Sequence, residues 1–176
     1  IFFTSGATES MNTVLGGLDY GEKGSSILVT QTEHNSVLRP VYNLEQLREH
    51  PVLVVKCTIN GIVTEESLEI AVRPDSRVLI VNHCSNVTGC VQDMEMIREF
   101  VKRHGLILIV DVSQSAGCIP VDADKWEADA LIFTGHKSLM GIQGTGGYYV
   151  RSGIELKPLK YGGTGRNSAQ LTDENK

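Results

Sequence analysis

Residues 128–151 read ADALIFTGHKSLMGIQGTGGYYVR, and the fold prediction starts from this stretch. Its first apolar run, residues 130–134, predicts a short strand buried in a sheet. A glycine-rich passage follows, and a second apolar run, residues 147–150, predicts another strand. Lys137 lies between the two strands, at the mouth of the predicted sheet, where partial loss of water makes an amine nucleophilic. A solvated loop lysine is the alternative, and the rest of the chain decides between the two.

The remainder of the chain alternates predicted strands and helices. Apolar runs predict strands at residues 1–4, 27–30, 52–57, 78–82 and 106–110. Helical spacing of apolar residues predicts helices at residues 9–18, 36–50, 64–72 and 93–104. This alternation, with strands that are apolar throughout, predicts an α/β fold. We expect an open, mostly parallel sheet in three layers, with helices on both faces.

Polar side chains follow the predicted strands at their carboxyl ends. The set consists of Thr8, His34, Asn86, Asp111, Gln114, His136 and Lys137. Parallel strands bring these ends to one edge of the sheet, which is where ligands bind in such folds. A carboxylate such as Asp111 is costly to bury there unless it meets a cation or a hydrogen-bond donor. The sequence therefore predicts one polar ligand site.

The first strand leads through Gly6, Ala7 and Thr8 into a helix, which is the arrangement of an anion site. An ordinary helix cap is the alternative reading. The phosphate loop of nucleotide-binding proteins and the GxGxxG pattern are both missing. A phosphorylated aromatic aldehyde fits better, because Lys137 could bond to its aldehyde while the turn holds its phosphate. Asp111 would then keep a ring nitrogen protonated, which makes the ring an electron sink.

Composition excludes several other classes of protein. The chain has 176 residues, of which 41% are hydrophobic, and a formal net charge of −5, so neither nucleic acid nor a membrane surface is expected as a partner. No apolar run approaches the roughly 20 residues of a membrane span. The four cysteines are scattered and suggest no metal site and no disulfide framework. We expect reduced thiols and a cytoplasmic protein.

Five motifs occur in the order TSGATE, TEHNS, SNVTG, DVSQSAG and FTGHKS. This order resembles the class V branch of the fold-type I pyridoxal-phosphate enzymes, most closely the cysteine desulfurase and selenocysteine lyase group. The resemblance covers essentially the whole chain. It implies pyridoxal 5'-phosphate as cofactor and an aspartate aminotransferase-like large domain over residues 1–176, with an N-terminal segment and a C-terminal small domain absent. It also implies conversion of L-cysteine to L-alanine, with the sulfur held on the enzyme as a persulfide.

The resemblance implies roles around the cofactor ring. Lys137 would bond to the cofactor, and His34 would stack on its ring and help to move protons. Asp111 would pair with the ring nitrogen. Gln114 would donate to the ring hydroxyl oxygen, and Asn86 would lie near the same oxygen and the substrate carboxylate.

The resemblance implies further residues around the cofactor phosphate. On this side of the ring we expect Gly6, Ala7, Thr8, Thr134 and His136. In several relatives a segment similar to residues 161–165 crosses a dimer interface. By that likeness Thr164 would reach the phosphate of the partner subunit in a homodimer.

Several points stay open at this level. A selenocysteine lyase, an aminotransferase or an epimerase of the same class would use the same residues, and an inert α/β fragment is the non-enzymatic alternative. The persulfide cysteine and the arginine that binds the substrate carboxylate are expected outside this chain. We therefore expect the chain alone to be weakly active or inactive. A separate sulfur-acceptor protein is a further expected partner.

Overall fold

The computed structural model describes residues 1–162, in which seven strands and four helices follow one another. The strands are β1 (Phe2–Thr4), β2 (Ser26–Thr30), β3 (Val52–Val55), β4 (Ser76–Asn82), β5 (Ile107–Asp111), β6 (Ala130–Thr134) and β7 (Gly146–Val150). The helices are α1 (Ala7–Gly17), α2 (Asn35–Arg48), α3 (Glu65–Ala71) and α4 (Met94–His104).

The strands form one sheet in the order β1-β7-β6-β5-β4-β2-β3. The neighbours from β6 to β3 are parallel, whereas β7 is antiparallel to both β1 and β6. The predicted α/β fold with a mostly parallel sheet is therefore confirmed. The register places Asn82 opposite Asp111, so the last residues of β4 and β5 are neighbours at the carboxyl edge.

Helices cover both faces of the sheet, because alternate strand residues point to opposite sides. On one face, α1 and α2 pack on the strands in a cluster that includes Met11, Ile27 and Val37. On the other face, α3 and α4 pack in a cluster that includes Leu28 and Phe100. All five side chains are fully buried. The three-layer prediction is confirmed.

The structure differs from the predicted elements at their ends. Helix α1 begins at Ala7 rather than at residue 9, because Gly6 occupies the N-cap position, while α2 ends at Arg48 and β3 at Val55, each two residues early. Turns connect β5 to β6, and Trp126 packs there edge-on against His83 with ring centroids 4.6 Å apart. None of the helices within residues 1–162 has the length and apolarity to cross a bilayer.

Candidate active site

A cavity of about 360 Å³ opens at the carboxyl edge of the sheet, and it is of the size that holds a small ligand. Ten of the eleven predicted site residues line it. They are Gly6, Ala7, Thr8, His34, Asn86, Asp111, Gln114, Thr134, His136 and Lys137. The eleventh, Thr164, lies outside the described residues. The structure thus brings the described candidates together, and their individual roles stay predictions.

The N-terminus of α1 contributes one wall of the cavity. Gly6 has φ 153° and ψ 176°, a region almost restricted to glycine, and it provides no side-chain cap. The Ser10 N–H donates to the Gly6 carbonyl at 3.1 Å, so the three amides before Ser10 have no carbonyl partner in their own helix. Free amides at a helix start attract an anion through direct hydrogen bonds and the helix dipole.

Glu9 lies in the same helical turn, and its carboxylate is already stabilised by neighbouring donors. Its Oε2 accepts hydrogen bonds from the Ser5 N–H at 2.8 Å and from the Ser5 hydroxyl at 2.7 Å. These two bonds, together with Lys160 at 3.3 Å, lower the pKa of Glu9 to about 2. The carboxylate that lies beside the helix start is therefore already bound to Ser5 and Lys160.

Thr134 and His136 form the wall beyond β6. Thr134 ends the strand and is buried, whereas His136 is exposed. The Thr134 Oγ1 and the His136 Nδ1 are 3.0 Å apart, which fits a hydrogen bond. A hydroxyl and an imidazole next to free amides form a donor set that suits a phosphate group.

His34 is the N-cap of α2, and the cap determines which ring nitrogen is free. Its Nδ1 accepts a hydrogen bond from the Ser36 N–H at 3.1 Å and lies 2.9 Å from the Ser36 Oγ. In the neutral imidazole the proton is then on Nε2. The His34 side chain at the cavity thus has one nitrogen fixed by its helix and one left for a ligand.

Asp111 ends β5 and is only 6% exposed. Its Oδ1 accepts the Ser113 N–H at 2.9 Å. No ion pair within residues 1–162 includes it. A buried carboxylate with so few protein partners can accept a hydrogen bond from a ligand nitrogen.

Asn86 lies on a tight loop after β4. The Ser85 Oγ accepts hydrogen bonds from the N–H groups of Val87 at 3.2 Å and Thr88 at 3.3 Å, and this turn leaves Asn86 exposed at the cavity. Cys84, at the base of the loop, also lines the cavity. Burial raises the pKa of the Cys84 thiol, so it is a weak nucleophile.

Lys137 is half-buried, and a glycine from another motif supports its loop. A Cβ on Gly117 would come within 2.5 Å of the Ser138 carbonyl oxygen, and Gly117 has φ 85°. Only glycine meets both demands without strain. The DVSQSAG and FTGHKS motifs therefore touch through backbone atoms directly after Lys137.

Sequence reasoning missed several residues of the cavity and its support. Ser5, Glu9, Ser36, Asn82 and Ser113 also line the cavity, and Gly117 lies against the backbone of Ser138. Most of these lie inside or next to the five motifs, which was the available signal.

The residues present fit a pyridoxal 5'-phosphate molecule. The free amides of α1 suit its phosphate, Asp111 suits its ring nitrogen and the Lys137 amine suits its aldehyde. Among the described residues, no group of three or more His, Cys, Asp or Glu side chains is placed to hold a metal ion.

Comparison with known proteins agrees with this geometry. The family model for aminotransferase class V matches residues 1–176. Cysteine desulfurase IscS of Serratia proteamaculans is 40% identical over 153 residues, which are 86% of this chain and 37% of that protein. The IscS of Shewanella amazonensis is 38% identical over 167 residues, 93% of this chain and 41% of that protein. The chain thus spans about two fifths of the length of these curated relatives.

Among solved structures, SspA in complex with cysteine matches with a TM-score of 0.84 and 32% identity, over 92% of this chain and 47% of that chain. The resemblance inferred from the motifs is confirmed, and proteins of this family depend on pyridoxal phosphate. The family model, the sheet topology and the residues of the cavity all indicate the same family. The chain belongs to the class V aminotransferase family.

Proposed function

We propose that the chain is the large, cofactor-binding domain of a pyridoxal-phosphate-dependent cysteine desulfurase. The reaction converts L-cysteine and an enzyme thiol to L-alanine and an enzyme persulfide. One observation carries the proposal: Lys137, Asp111 and His34 line a single cavity together with an uncapped helix N-terminus. Relatives named cysteine desulfurases support the reaction, and the cysteine complex of SspA supports the substrate.

The ring side of the cavity performs the proton chemistry. Pyridoxal phosphate, when bound, supplies an electron sink for negative charge at the α carbon of the substrate. Lys137 would hold the cofactor through its aldehyde, and its amine would move the proton at that carbon. Asp111 would accept a hydrogen bond from the ring nitrogen and favour its protonated form. His34 would lie against the ring and offer Nε2 for proton transfer, since Ser36 engages Nδ1.

Other residues would orient the cofactor. Gly6, Ala7 and Thr8 would bind its phosphate through the helix start, and Thr134 and His136 would complete that contact from the end of β6. Gln114 would donate to the ring hydroxyl oxygen. Asn86 would contact the same oxygen and the substrate carboxylate.

The sulfur acceptor and the assembly complete the proposal. Cys84 lines the cavity but burial raises the pKa of its thiol, and the other three free cysteines do not line the cavity, so we assign the acceptor thiol to a cysteine outside this chain. The active form is a homodimer in which Thr164 serves the site of the partner, and a separate acceptor protein takes the sulfur onward. The four free cysteines support a cytoplasmic location.

The test uses the protein expressed from its complete reading frame and loaded with pyridoxal phosphate. With L-cysteine, alanine and thiol-bound sulfur are expected in equal amounts. The Lys137→Ala variant is expected to lose both products and the visible absorption of the attached cofactor while still unfolding cooperatively. The Lys125→Ala variant is the matched control, because Lys125 lies outside the cavity and pairs with Glu95.

The same assay separates the alternatives. A strong preference for selenocysteine would identify a selenocysteine lyase. A requirement for a keto acid would identify an aminotransferase, and a D-amino acid product would identify an epimerase. Unchanged cofactor absorption in Lys137→Ala would contradict the assignment of the lysine. Absence of any cofactor binding would leave an inert α/β fragment.

A further inference from the structure

Glu33 is a buried carboxyl group that the proposed mechanism does not use. It directly precedes His34, is 7% exposed and does not line the cavity. Its Oε2 is buried without a hydrogen-bond partner. A buried, half-satisfied carboxyl group is costly, so its position calls for a reason.

The other oxygen of Glu33 joins two parts of the cavity edge. Its Oε1 accepts the Asn82 backbone N–H at 2.7 Å, at the end of β4, and the Thr30 hydroxyl at 2.5 Å, at the end of β2. A second hydrogen bond joins the same two segments, because the side-chain amide of Asn82 donates to the Thr32 carbonyl at 2.6 Å. The loop that carries His34 is thus bound to the end of β4 through both the backbone N–H and the side-chain amide of Asn82.

Asp111 lies on the far side of the same residue. Asn82 pairs with Asp111 across β4 and β5 and itself lines the cavity. Glu33 and Asp111 therefore flank Asn82, and the charge of Asp111 raises the pKa of Glu33. A second ionised carboxylate beside Asp111 would compete with it for the same proton or cation.

We propose that Glu33 is a positioning residue that ties the His34 loop to the strand end beside Asp111 while keeping a second negative charge away from Asp111. The inference rests on the proposed function, because it presupposes that His34 and Asp111 face the cofactor. Its subject, however, is a residue outside the cavity, and part of its test needs no cofactor.

The charge state of Glu33 agrees with this role. Burial is the largest cause that raises its pKa to about 8, and the charge of Asp111 adds to the rise, against the hydrogen bonds from Thr30 and Asn82. At neutral pH the folded protein therefore holds Glu33 protonated.

The neighbouring titratable groups leave this picture unchanged. Beyond β4, burial lowers the pKa of His83, so that imidazole brings no positive charge. Lys56, directly after β3, is exposed and makes no ion pair with Glu33 within residues 1–162. On the same loop as Glu33, the Nδ1 atom of His34 accepts a hydrogen bond from the Ser36 N–H.

The first arm of the test measures thermal unfolding of the cofactor-free protein, expressed from its complete reading frame, between pH 5 and pH 9. A carboxyl group with a raised folded pKa binds more protons when folded than when unfolded, so stability falls as pH rises from its ordinary value of 4.5 to about 8. Glu33→Gln should lose this fall and unfold at a higher temperature than the parent protein at pH 8. Glu45→Gln is the matched control, because Glu45 also accepts a backbone N–H, from Val52 at 3.1 Å, yet is half-buried and outside the cavity.

The second arm measures pyridoxal-phosphate affinity at pH 7 by visible absorption. Glu33→Gln keeps an accepting oxygen and no charge, and it should bind within about twofold of the parent protein. Glu33→Leu leaves the Asn82 N–H unpaired and should bind roughly tenfold more weakly. If Glu33→Leu gives no folded protein, Glu33→Ala, which admits water to that N–H, replaces it with the same expectation.

Three results would overturn the inference. These are an unchanged pH dependence in Glu33→Gln, wild-type affinity in the apolar variants, or equal weakening in the Gln and apolar variants. Failure of the parent protein to bind cofactor would instead count against the proposed function, and the stability arm would still decide the charge state of Glu33.

Discussion

Asp129 and Asp111 are buried carboxylates at opposite edges of the sheet, and they differ in how completely the protein satisfies them. Asp129, directly before β6, accepts the Leu108 N–H at 2.8 Å and pairs with Arg151 at 2.5 Å. Asp111, at the end of β5, accepts the Ser113 N–H and otherwise faces the cavity. Asp129 is therefore a structural carboxylate, and Asp111 is open to a ligand.

The same contrast holds for the polar groups around each of them. Four buried side-chain polar atoms within residues 1–162 have no hydrogen-bond partner, and three of them belong to Glu33, His83 and Ser113 at the carboxyl edge. Native proteins keep few such groups, and they concentrate where a ligand or strain accounts for them. Around Asp129 the sheet is closed by its own side chains, whereas around Asp111 the carboxyl edge is left to be completed by what it binds.

The largest effect is expected from Asp111→Asn, which removes the charge at the open edge. We expect cysteine turnover to fall roughly 10²–10³-fold, because the ring nitrogen loses its anionic partner. Thermal stability should stay level or rise, since an incompletely satisfied buried charge is removed. Turnover is measured with the cofactor saturating. A fall in stability without a fall in turnover would contradict the contrast between the two edges.

Asp129→Asn is the converse change at the closed edge. It weakens the links to Leu108 and Arg151, and we expect a loss of about 1.5–3 kcal/mol in the free energy of unfolding. Denaturant titration measures the loss. Cofactor affinity of the folded protein should be unchanged, and a weaker affinity with normal stability would assign Asp129 to the site.

Gly117→Ala probes how the open edge is supported. The positive φ alone costs about 1–2 kcal/mol, and the new Cβ would also meet the Ser138 carbonyl, so we expect a larger loss of stability than that and slower attachment of the cofactor to Lys137. Gly21→Ala is the matched control, because Gly21 has φ 77° but no heavy atom within 4 Å of its added Cβ. Equal attachment rates in both variants would show that the contact does not position the lysine.

The smallest effect is expected from Ser113→Ala. The Ser113 hydroxyl is buried without a partner at the cavity, so its removal should raise the free energy of unfolding by about 1 kcal/mol. Thermal unfolding of the cofactor-free protein measures this gain. A loss of stability would mean that the open edge is already closed by contacts within the protein.

Much of the fold was predictable because buried parallel strands are plain apolar runs. The runs around Val78 and Leu108 could be read directly, and so could the polar residues that follow them. The place of β7 between β1 and β6 was not predictable, because the pairing of Phe2 with Tyr148 joins residues far apart in sequence. A short apolar run does not specify its partner or its direction.

The site divides in the same way. Lys137, Asp111 and His34 were predictable because their chemistry shows in the residue type at a strand end. Glu33 looks like an ordinary loop carboxylate, and Gly117 like an ordinary turn glycine. Their significance comes from a buried bond to Asn82 and a backbone contact with Ser138, which exist only in the folded chain.

The pairing of β1 with β7 has a consequence for synthesis on the ribosome. β1 is made before β7, which emerges about 140 residues later, so β1 has no partner strand while the elements between them are synthesised. The turn at Gly6, which starts α1, follows β1 directly. We therefore expect the corner that we propose for the cofactor phosphate to form only after β7 has joined the sheet, so that a nascent chain gains affinity for the cofactor after its other strands have docked.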